Sequence, residues 1–309
     1  MNTQHDLKSD KPRFGRPHLG KPRLLVVGCG DVGMRLLPLL TARYRVFALT
    51  SQPGRCAELR AAGAIPVVAD LDRPRTLARL AGLARRVVHL APPQPQGALD
   101  VRTRNLTAIL PEGAQVVYVS TSGVYGDRGG RLTPETTPVA PRNARAARRV
   151  DAERVLRAWA LAARGRVTIL RAPGIYAADR LPLERLQRGT PALAADDDVY
   201  TNHIHADDLA RLSLAALRHG KPSRVYNASD DTHMKMGAYF DLVADAFGLA
   251  RPPRLGRAEL ERVVTPVQLS FMSESRRLDN SRLRELRVRL LHPRVEAVVQ
   301  AAARLHVKA

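Results

Sequence analysis

The chain has 309 residues, of which 45% are hydrophobic and 26% charged, a balance that excludes a disordered or fibrous protein. Its 50 lysines and arginines outnumber its 29 aspartates and glutamates, which gives a net charge of +21. No apolar run reaches the roughly 18 residues of a membrane span, so no membrane partner is expected.

Residues 1–22 are predicted to be a flexible basic tail. The stretch is rich in Pro, Gly and Lys and lacks the apolar h-region of a secretory signal, so Met1 to Lys21 is excluded from the fold. Cys29 and Cys56 are too few for a disulfide framework and lack metal-site spacing. We therefore expect a cytoplasmic protein without a metal site.

Strand and helix patterns alternate from Arg23 onward, which predicts an α/β fold with a doubly wound parallel sheet and helices on both faces. After about residue 173 the alternation weakens, which indicates a smaller C-terminal substrate lobe. The predicted strands are RLLVVG, YRVFALT, AIPVVAD, RRVVHLAPP, QVVYVSTS, RVTILRAPGIY and SRVYNAS. The predicted domains are 23–172 with a returning segment at about 200–228 for the sheet, and 173–199 and 229–309 for the lobe.

A glycine-rich turn, GCGDVG, follows the first strand and opens the first helix, which is the required context for the pattern G-x-G-x-x-G. In that pattern the first glycine makes the turn, the second lets backbone approach a pyrophosphate, and the third lets helix and strand pack closely. We therefore expect a nicotinamide dinucleotide here, with Cys29 as a small filler. The expected cofactor contacts of the turn are Gly28, Cys29, Gly30, Asp31, Val32 and Gly33.

The end of the second strand decides between the two nicotinamide cofactors. NAD sites usually place a carboxylate there to hold the ribose 2'-hydroxyl, whereas TSQPGR has none before Glu58. Hydroxyls and an arginine suit the 2'-phosphate of NADP, which we favour over NAD. Asp70 and Leu71 are expected at the adenine edge, although an aspartate after a strand is often a helix cap. The other expected contacts at strand ends are Thr50, Ser51, Arg55, Leu90, Ala91 and Pro92.

Further segments resemble the extended, epimerase/dehydratase-like branch of the short-chain dehydrogenase/reductase superfamily. The likeness runs from Leu24 to about Pro293 and implies a Rossmann fold, while G-x-G-x-x-G in place of G-x-x-G-x-x-G indicates an atypical subgroup. It further implies that Ser120, Pro173 and Ile175 border the cofactor. The similar segments are STSGVYG at 120–126, LRAPGIY at 170–176, NHIHADDLA at 202–210 and SESRRLDN at 273–280.

The resemblance places the family's catalytic hydroxyl on Thr121, where it would polarise a substrate carbonyl or hydroxyl. The family's Tyr-x-x-x-Lys pair is missing, because alignment on Glu153 puts Arg145 and Arg149 at its positions. A guanidinium stays protonated near neutrality and cannot exchange a proton as the tyrosine does. Either these arginines bind an anion from one helix face, or they are solvated surface charges.

Tyr176, just beyond the sixth strand, is the preferred substitute for the missing acid among Tyr125, Tyr176, His203 and His205. His205 is expected instead to fix the turn before the following helix. Serine and glycine stand where the family's dehydratases carry an acidic pair, which disfavours dehydration of a sugar nucleotide. The residues expected to bind substrate are Ser122, Arg145, Arg149 and Arg276.

We expect an NAD(P)-binding, epimerase/dehydratase-like oxidoreductase that acts on a small, anionic or nucleotide-linked substrate as a monomer or homodimer. One alternative is a catalytically silent NADP-binding sensor that signals through a partner protein. Another is a polyanion-binding protein that keeps the fold only as a scaffold. Nucleic acid is disfavoured as a partner because aromatics make up only 4% of the chain.

Overall fold

The structure is a computed structural model that describes residues 20–306. Its strands are β1 Arg23–Val27, β2 Arg45–Thr50, β3 Ile65–Val68, β4 Arg86–His89, β5 Gln115–Thr121, β6 Leu132–Thr133, β7 Arg166–Ala172, β8 Gly174–Tyr176, β9 Ala192–Leu193, β10 Tyr200–Thr201, β11 His203–His205, β12 Arg224–Asn227, β13 Met234–Lys235, β14 Arg254–Leu255 and β15 Arg277–Leu278. Its helices are α1 Asp31–Thr41, α2 Cys56–Ala61, α3 Val101–Thr107, α4 Ala144–Ala162, α5 Leu183–Gln187, α6 Ala206–His219, α7 Met236–Ala246, α8 Arg257–Val263, α9 Pro266–Met272 and α10 Val295–His306.

Seven strands form one sheet in the order β12-β7-β5-β4-β1-β2-β3, and every neighbouring pair is parallel. Alternate residues of β1 point to opposite faces, with Leu24 and Val26 in the core under α1 and α6 and Leu25 and Val27 in the core under α3 and α4. Helices therefore cover both faces of the sheet, which explains why its strands are apolar throughout. The predicted doubly wound α/β fold is confirmed.

The chain passes from β1 outward to β3 and then crosses back to β4 on the other side of β1. The loops after β1 and β4 consequently diverge and leave a crevice at the carboxyl ends of the strands. Ligands of open α/β sheets bind at such a switch point.

The C-terminal part of the chain builds a second layer beside this edge. Helices α5, α7 and α10 share one apolar cluster, and α8 and α9 contribute to a smaller one. Within the expected returning segment at about 200–228, α6 packs against α1 and β12 joins the main sheet. Leu283 and Leu286, from the segment expected in the lobe, are buried in the cluster of α1 and α6.

The described residues include no helix that is both long enough and apolar enough to cross a membrane. The tail predicted for residues 1–22 lies almost wholly outside the described range. The domain boundaries and that tail remain predictions.

Candidate active site

The turn between β1 and α1 has the geometry that its glycine spacing predicts. Gly28 has a φ of +93°, and a Cβ there would lie 2.5 Å from the backbone nitrogen of Ala91. A Cβ on Gly33 would lie 2.7 Å from the carbonyl oxygen of Gly28. A Cβ on Gly30, by contrast, would meet no atom within 4 Å. The turn thus keeps open space in front of the N–H groups that begin α1. This space, named here the glycine cradle, could hold a pyrophosphate.

A cavity of about 330 Å³ lies over this turn, where β1, β2 and β3 end. Burial raises the pKa of the Cys29 thiol to about 12, so this side chain stays protonated and acts as a filler. The expected cofactor contacts that line the cavity are Gly28, Cys29, Gly30, Thr50, Ser51, Arg55, Asp70, Leu71, Ala91 and Pro92.

Three other residues that were expected to contact the cofactor pack beside the turn. Val32 and Leu90 are partly buried against the apolar core on one face of the sheet. Gly33 is buried where α1 packs closely on the turn. These residues pack around the turn, and their expected contacts with the cofactor stay predictions.

Arg55 connects the glycine turn to α2. Its Nε and Nη2 donate to the Glu58 carboxylate at 2.8 and 3.0 Å, and its Nη1 donates to the carbonyl oxygen of Cys29 at 2.5 Å. The hydrogen bond from Arg55 lowers the pKa of Glu58. The first carboxylate that follows β2 in the sequence is therefore already paired with a guanidinium that itself lines the cavity.

Arg102 on α3 is a cavity residue that the sequence did not single out. It donates to both Asp72 oxygens at 2.8 and 2.6 Å and to the carbonyl oxygen of Pro92 at 3.1 Å. Asp70 accepts from the backbone N–H of Asp72 at 2.9 Å, which makes a turn directly after β3. Arg102 was missed because α3 reaches the strand ends only through the tertiary fold.

A second cavity, of about 460 Å³, lies where β5, β7 and β8 meet and is named here the Thr121 crevice. Thr121 ends β5, and its Oγ1 accepts a hydrogen bond from the backbone N–H of Gly123 at 3.2 Å. That bond orients the oxygen and leaves the hydroxyl hydrogen available to a ligand. The expected residues that line the crevice are Thr121, Ser122, Arg145, Arg149, Pro173, Ile175 and Arg276.

Arg145 and Arg149 enter this crevice from one face of α4, one turn apart. The Arg145 guanidinium lies 4.6 Å from the ring centroid of Phe271, and Arg149 Nη1 donates to the carbonyl oxygen of Val119 at 2.8 Å. These partners are neutral, so both positive charges remain available to an anion. Arg276 differs, because it is paired with a buried carboxylate of the same turn, Glu274, at 2.7 Å.

A buried ion pair holds α4 in this register. Arg171 of β7 and Glu153 of α4, each with a side chain 5% exposed, are bonded at 2.7 Å. Ser120 is buried and donates its hydroxyl to Glu153 at 2.7 Å, and its expected contact with the cofactor stays a prediction. Helix α4 is thus fastened to β5 and β7 directly behind Thr121.

The tyrosines lie at different depths around the Thr121 crevice. Tyr125 is fully buried and donates to Asn227 Oδ1 at 2.7 Å. Tyr176 is 2% exposed, and burial raises the pKa of its hydroxyl. Its expected catalytic role stays a prediction. Tyr200, which the sequence did not single out, lines the crevice from a separate segment.

An ion-pair network connects the two cavities. Asp31, in the first turn of α1, accepts from Arg180 Nη1 at 2.7 Å and from Arg35 Nε at 2.8 Å, and Arg180 also lines the Thr121 crevice. Burial opposes ionisation of Asp31, but these two hydrogen bonds outweigh it and lower the pKa of the carboxyl. Arg35 reaches on to Asp207 of α6 at 2.8 Å.

His205 caps α6, since its Nδ1 accepts from the backbone N–H of Asp207 at 3.2 Å. Among residues 20–306, His205, Asp207 and His292 each place a potential metal-ligand atom within 4.8 Å of the others. The Asp207 carboxylate is ion-paired with Arg35, however, and the His205 nitrogen is used by the cap. The expectation of no metal site stays a prediction.

A fully parallel sheet, an open glycine turn at its switch point and a polar crevice at the same edge define a Rossmann-fold protein of the dinucleotide-binding class. The sequence profile of the NAD dependent epimerase/dehydratase family matches residues 24–229. The chain belongs to this family, which confirms the resemblance found in its motifs. No curated protein sequence matches the chain.

Several solved structures share the fold. A conserved protein of unknown function from Silicibacter pomeroyi is 26% identical, with a TM-score of 0.74 and coverage of 92% of this chain and 99% of its own. A proposed NAD-dependent epimerase/dehydratase from Methylobacillus flagellatus is 28% identical, with a TM-score of 0.68 and coverage of 93% and 100%. A Thermus thermophilus UDP-glucose 4-epimerase in complex with NAD is 20% identical, with a TM-score of 0.70 and coverage of 93% and 99%, a likeness of fold alone.

Proposed function

We propose that the protein binds NADP and uses it to reduce or oxidise a small anionic substrate without a tyrosine–lysine pair. The observation that carries the proposal is that an open glycine cradle and a crevice with Thr121 lie along one edge of one sheet. The crevice also holds two guanidinium groups, Arg145 and Arg149, that form no ion pair with any residue in the range 20–306. The family assignment and the NAD complex of the Thermus relative support a nicotinamide dinucleotide in the cradle.

The preference for NADP rests on the cavity at the end of β2. A 2'-phosphate there would meet Arg55 and the hydroxyls of Thr50 and Ser51, all of which line the cavity. Arg55 already neutralises Glu58, so that carboxylate is poorly placed to accept from the ribose 2'-hydroxyl of NAD. The pyrophosphate would rest on the N–H groups that begin α1, in front of Gly30.

A reduced nicotinamide bound in the cradle would supply a hydride to the carbonyl carbon of the substrate, whose oxygen would become an alkoxide. Thr121 donates a hydrogen bond to the carbonyl oxygen and stabilises the charge that develops there. Arg145 and Arg149 hold the substrate anion and fix the orientation of the carbonyl. The alkoxide then takes its proton from a solvent molecule in the crevice.

The test of cofactor preference is a fluorescence titration with NADPH and with NADH. Arg55→Ala removes charge-assisted hydrogen bonds, each worth about 1.5–3 kcal/mol, so the Kd for NADPH should rise about tenfold to a hundredfold while that for NADH stays unchanged. Arg60→Ala, which removes an exposed arginine of the helix α2 that follows Arg55, is the control and should change neither value. Equal effects of Arg55→Ala on both cofactors would contradict the assignment.

The test of turnover is NADPH consumption with a panel of anionic carbonyl compounds. Thr121→Val should abolish it and leave the Kd for NADPH unchanged, whereas Thr121→Ser should retain activity. A second candidate, a silent NADP-binding sensor, is favoured by the arginines that stand at the tyrosine and lysine positions. NADPH binding without consumption of any panel compound would select the sensor.

A further inference from the structure

An apolar compartment adjoins the Thr121 crevice on the side of the C-terminal lobe. It has a volume of about 290 Å³ and shares Ile175, Met236 and Phe271 with the crevice as lining residues. A ligand held beside Thr121 therefore has direct access to it. The compartment is named here by its own wall, Tyr239, Phe240 and Met272, as the aromatic compartment.

The wall of the aromatic compartment suits a hydrocarbon group. Tyr239 and Phe240 are adjacent on α7 and belong to the buried cluster of the lobe. Phe271 on α9 is 51% exposed, although large apolar side chains normally favour burial, and a hydrophobic ligand would cover it. The ring of Phe271 also contacts the Arg145 guanidinium, so the apolar wall meets the anion-binding side of the crevice.

The charged and titratable groups that face the aromatic compartment are compatible with an apolar ligand. Arg185 stacks over the Phe240 ring at 4.7 Å and donates to the carbonyl oxygen of Pro191. Arg180 is paired with Asp31 outside the compartment. Burial lowers the pKa of His203 to about 4, so its ring is neutral near neutral pH. The described lining residues include no carboxylate.

We propose that the substrate is a small anionic carbonyl compound, or the corresponding alcohol, with an aromatic or branched aliphatic arm. Its anion binds Arg145 and Arg149, its reacting oxygen binds Thr121, and its arm occupies the aromatic compartment. This inference rests on the proposed function of the same crevice. It separates the protein from enzymes of nucleotide sugars, whose many hydroxyl and phosphate groups would find few partners on this wall.

The experiment compares phenylpyruvate with pyruvate, which has the same anion and carbonyl but no ring. Binding to the NADPH complex is measured by the change in NADPH fluorescence under conditions without turnover, with UDP-glucose as a third probe. Phenylpyruvate should bind about tenfold to a hundredfold more tightly than pyruvate, as expected for burial of one aromatic side group. Phe240→Ala and Met272→Ala, which change residues that line the aromatic compartment but not the Thr121 crevice, should weaken phenylpyruvate binding and leave pyruvate binding unchanged.

The control is Leu161→Ala, which truncates an exposed apolar side chain at the far end of α4 and should change no Kd. Equal affinity for phenylpyruvate and pyruvate, tighter binding of UDP-glucose, or no saturation by phenylpyruvate up to about 10 mM, above the usual range of KM, would overturn the inference. NADPH is titrated first on each variant. If the unmodified protein does not bind NADPH, that result would overturn the proposed function and not this inference alone.

Discussion

Alanine substitutions of the two glycines on either side of Cys29 should have different effects: Gly28→Ala should lower stability, and Gly30→Ala should weaken cofactor binding. Gly30→Ala adds a methyl group that meets no atom within 4 Å, at an extended φ of −72° that alanine adopts readily. Its cost in stability is less than about 1 kcal/mol, the difference between glycine and alanine at a helix N-cap. Gly28→Ala places a methyl group 2.5 Å from a backbone nitrogen at a φ of +93°. Left-handed backbone costs about 1–2 kcal/mol and overpacking about 1–3 kcal/mol more.

Gly30→Ala should nevertheless impair cofactor binding, because its methyl group occupies the space in which a pyrophosphate would lie. Loss of one charge-assisted hydrogen bond of about 1.5–3 kcal/mol raises Kd at least about tenfold. Urea unfolding with and without NADPH measures both effects, since a ligand at 100 times its Kd stabilises the folded state by about 2.7 kcal/mol. Without cofactor, Gly30→Ala should unfold within about 1 kcal/mol of the unmodified protein, whereas a tenfold rise in Kd should cut the NADPH shift to about 1.4 kcal/mol or less. Full retention of the NADPH shift in Gly30→Ala would refute the assignment of the cradle.

Glu153→Leu should lower the free energy of unfolding by about 3–5 kcal/mol in urea titrations, because it leaves the Arg171 guanidinium buried without a counter-charge, and an unchanged value would contradict the buried pair. Burial lowers the pKa of His89 to about 3 and of His203 to about 4, and raises that of Asp230 to about 7. Between pH 4.5 and 6, the two histidines bind protons only in the unfolded state, whereas Asp230 binds a proton only in the folded state. For these three groups the unfolded state therefore binds about one proton more than the folded state. The free energy of unfolding should consequently rise by about 1.4 kcal/mol per pH unit. Asp230→Asn removes the group that binds a proton only in the folded state, so it should raise the slope by about a further 1.4 kcal/mol per pH unit. A flatter slope would contradict the raised pKa of Asp230.

The sequence predicted those parts of the site whose geometry is local. The positive φ of Gly28 and the close approach of Gly33 to the Gly28 carbonyl oxygen are set within six residues, whereas the Cβ that Gly28 lacks would meet Ala91. The sheet was predictable because buried parallel strands are apolar throughout and alternate with helices. The same alternation of strands and helices is missing after about residue 250, and α8 and α9, of seven residues each, are too short to leave a clear pattern.

Contacts between distant segments could not be predicted in this way. Ser120 follows a strand and was expected at the cofactor, yet the carboxylate that binds its hydroxyl lies 33 residues further on. Tyr200 and Phe271 reach the Thr121 crevice from short elements whose position depends on the packing of the lobe. Such residues have no spacing signal, because their proximity is created only when the lobe packs against the sheet.

The ion pair between Asp31 and Arg180 has a thermodynamic consequence. Asp31 belongs to the first turn of α1, directly after the glycine turn, whereas Arg180 lines the Thr121 crevice, so one bond of 2.7 Å joins the surroundings of the two cavities. A phosphate arriving on one side changes the field that this guanidinium experiences, and an anion arriving on the other changes the field at the carboxylate. Linkage requires that each occupant alter the affinity of the other by the same factor.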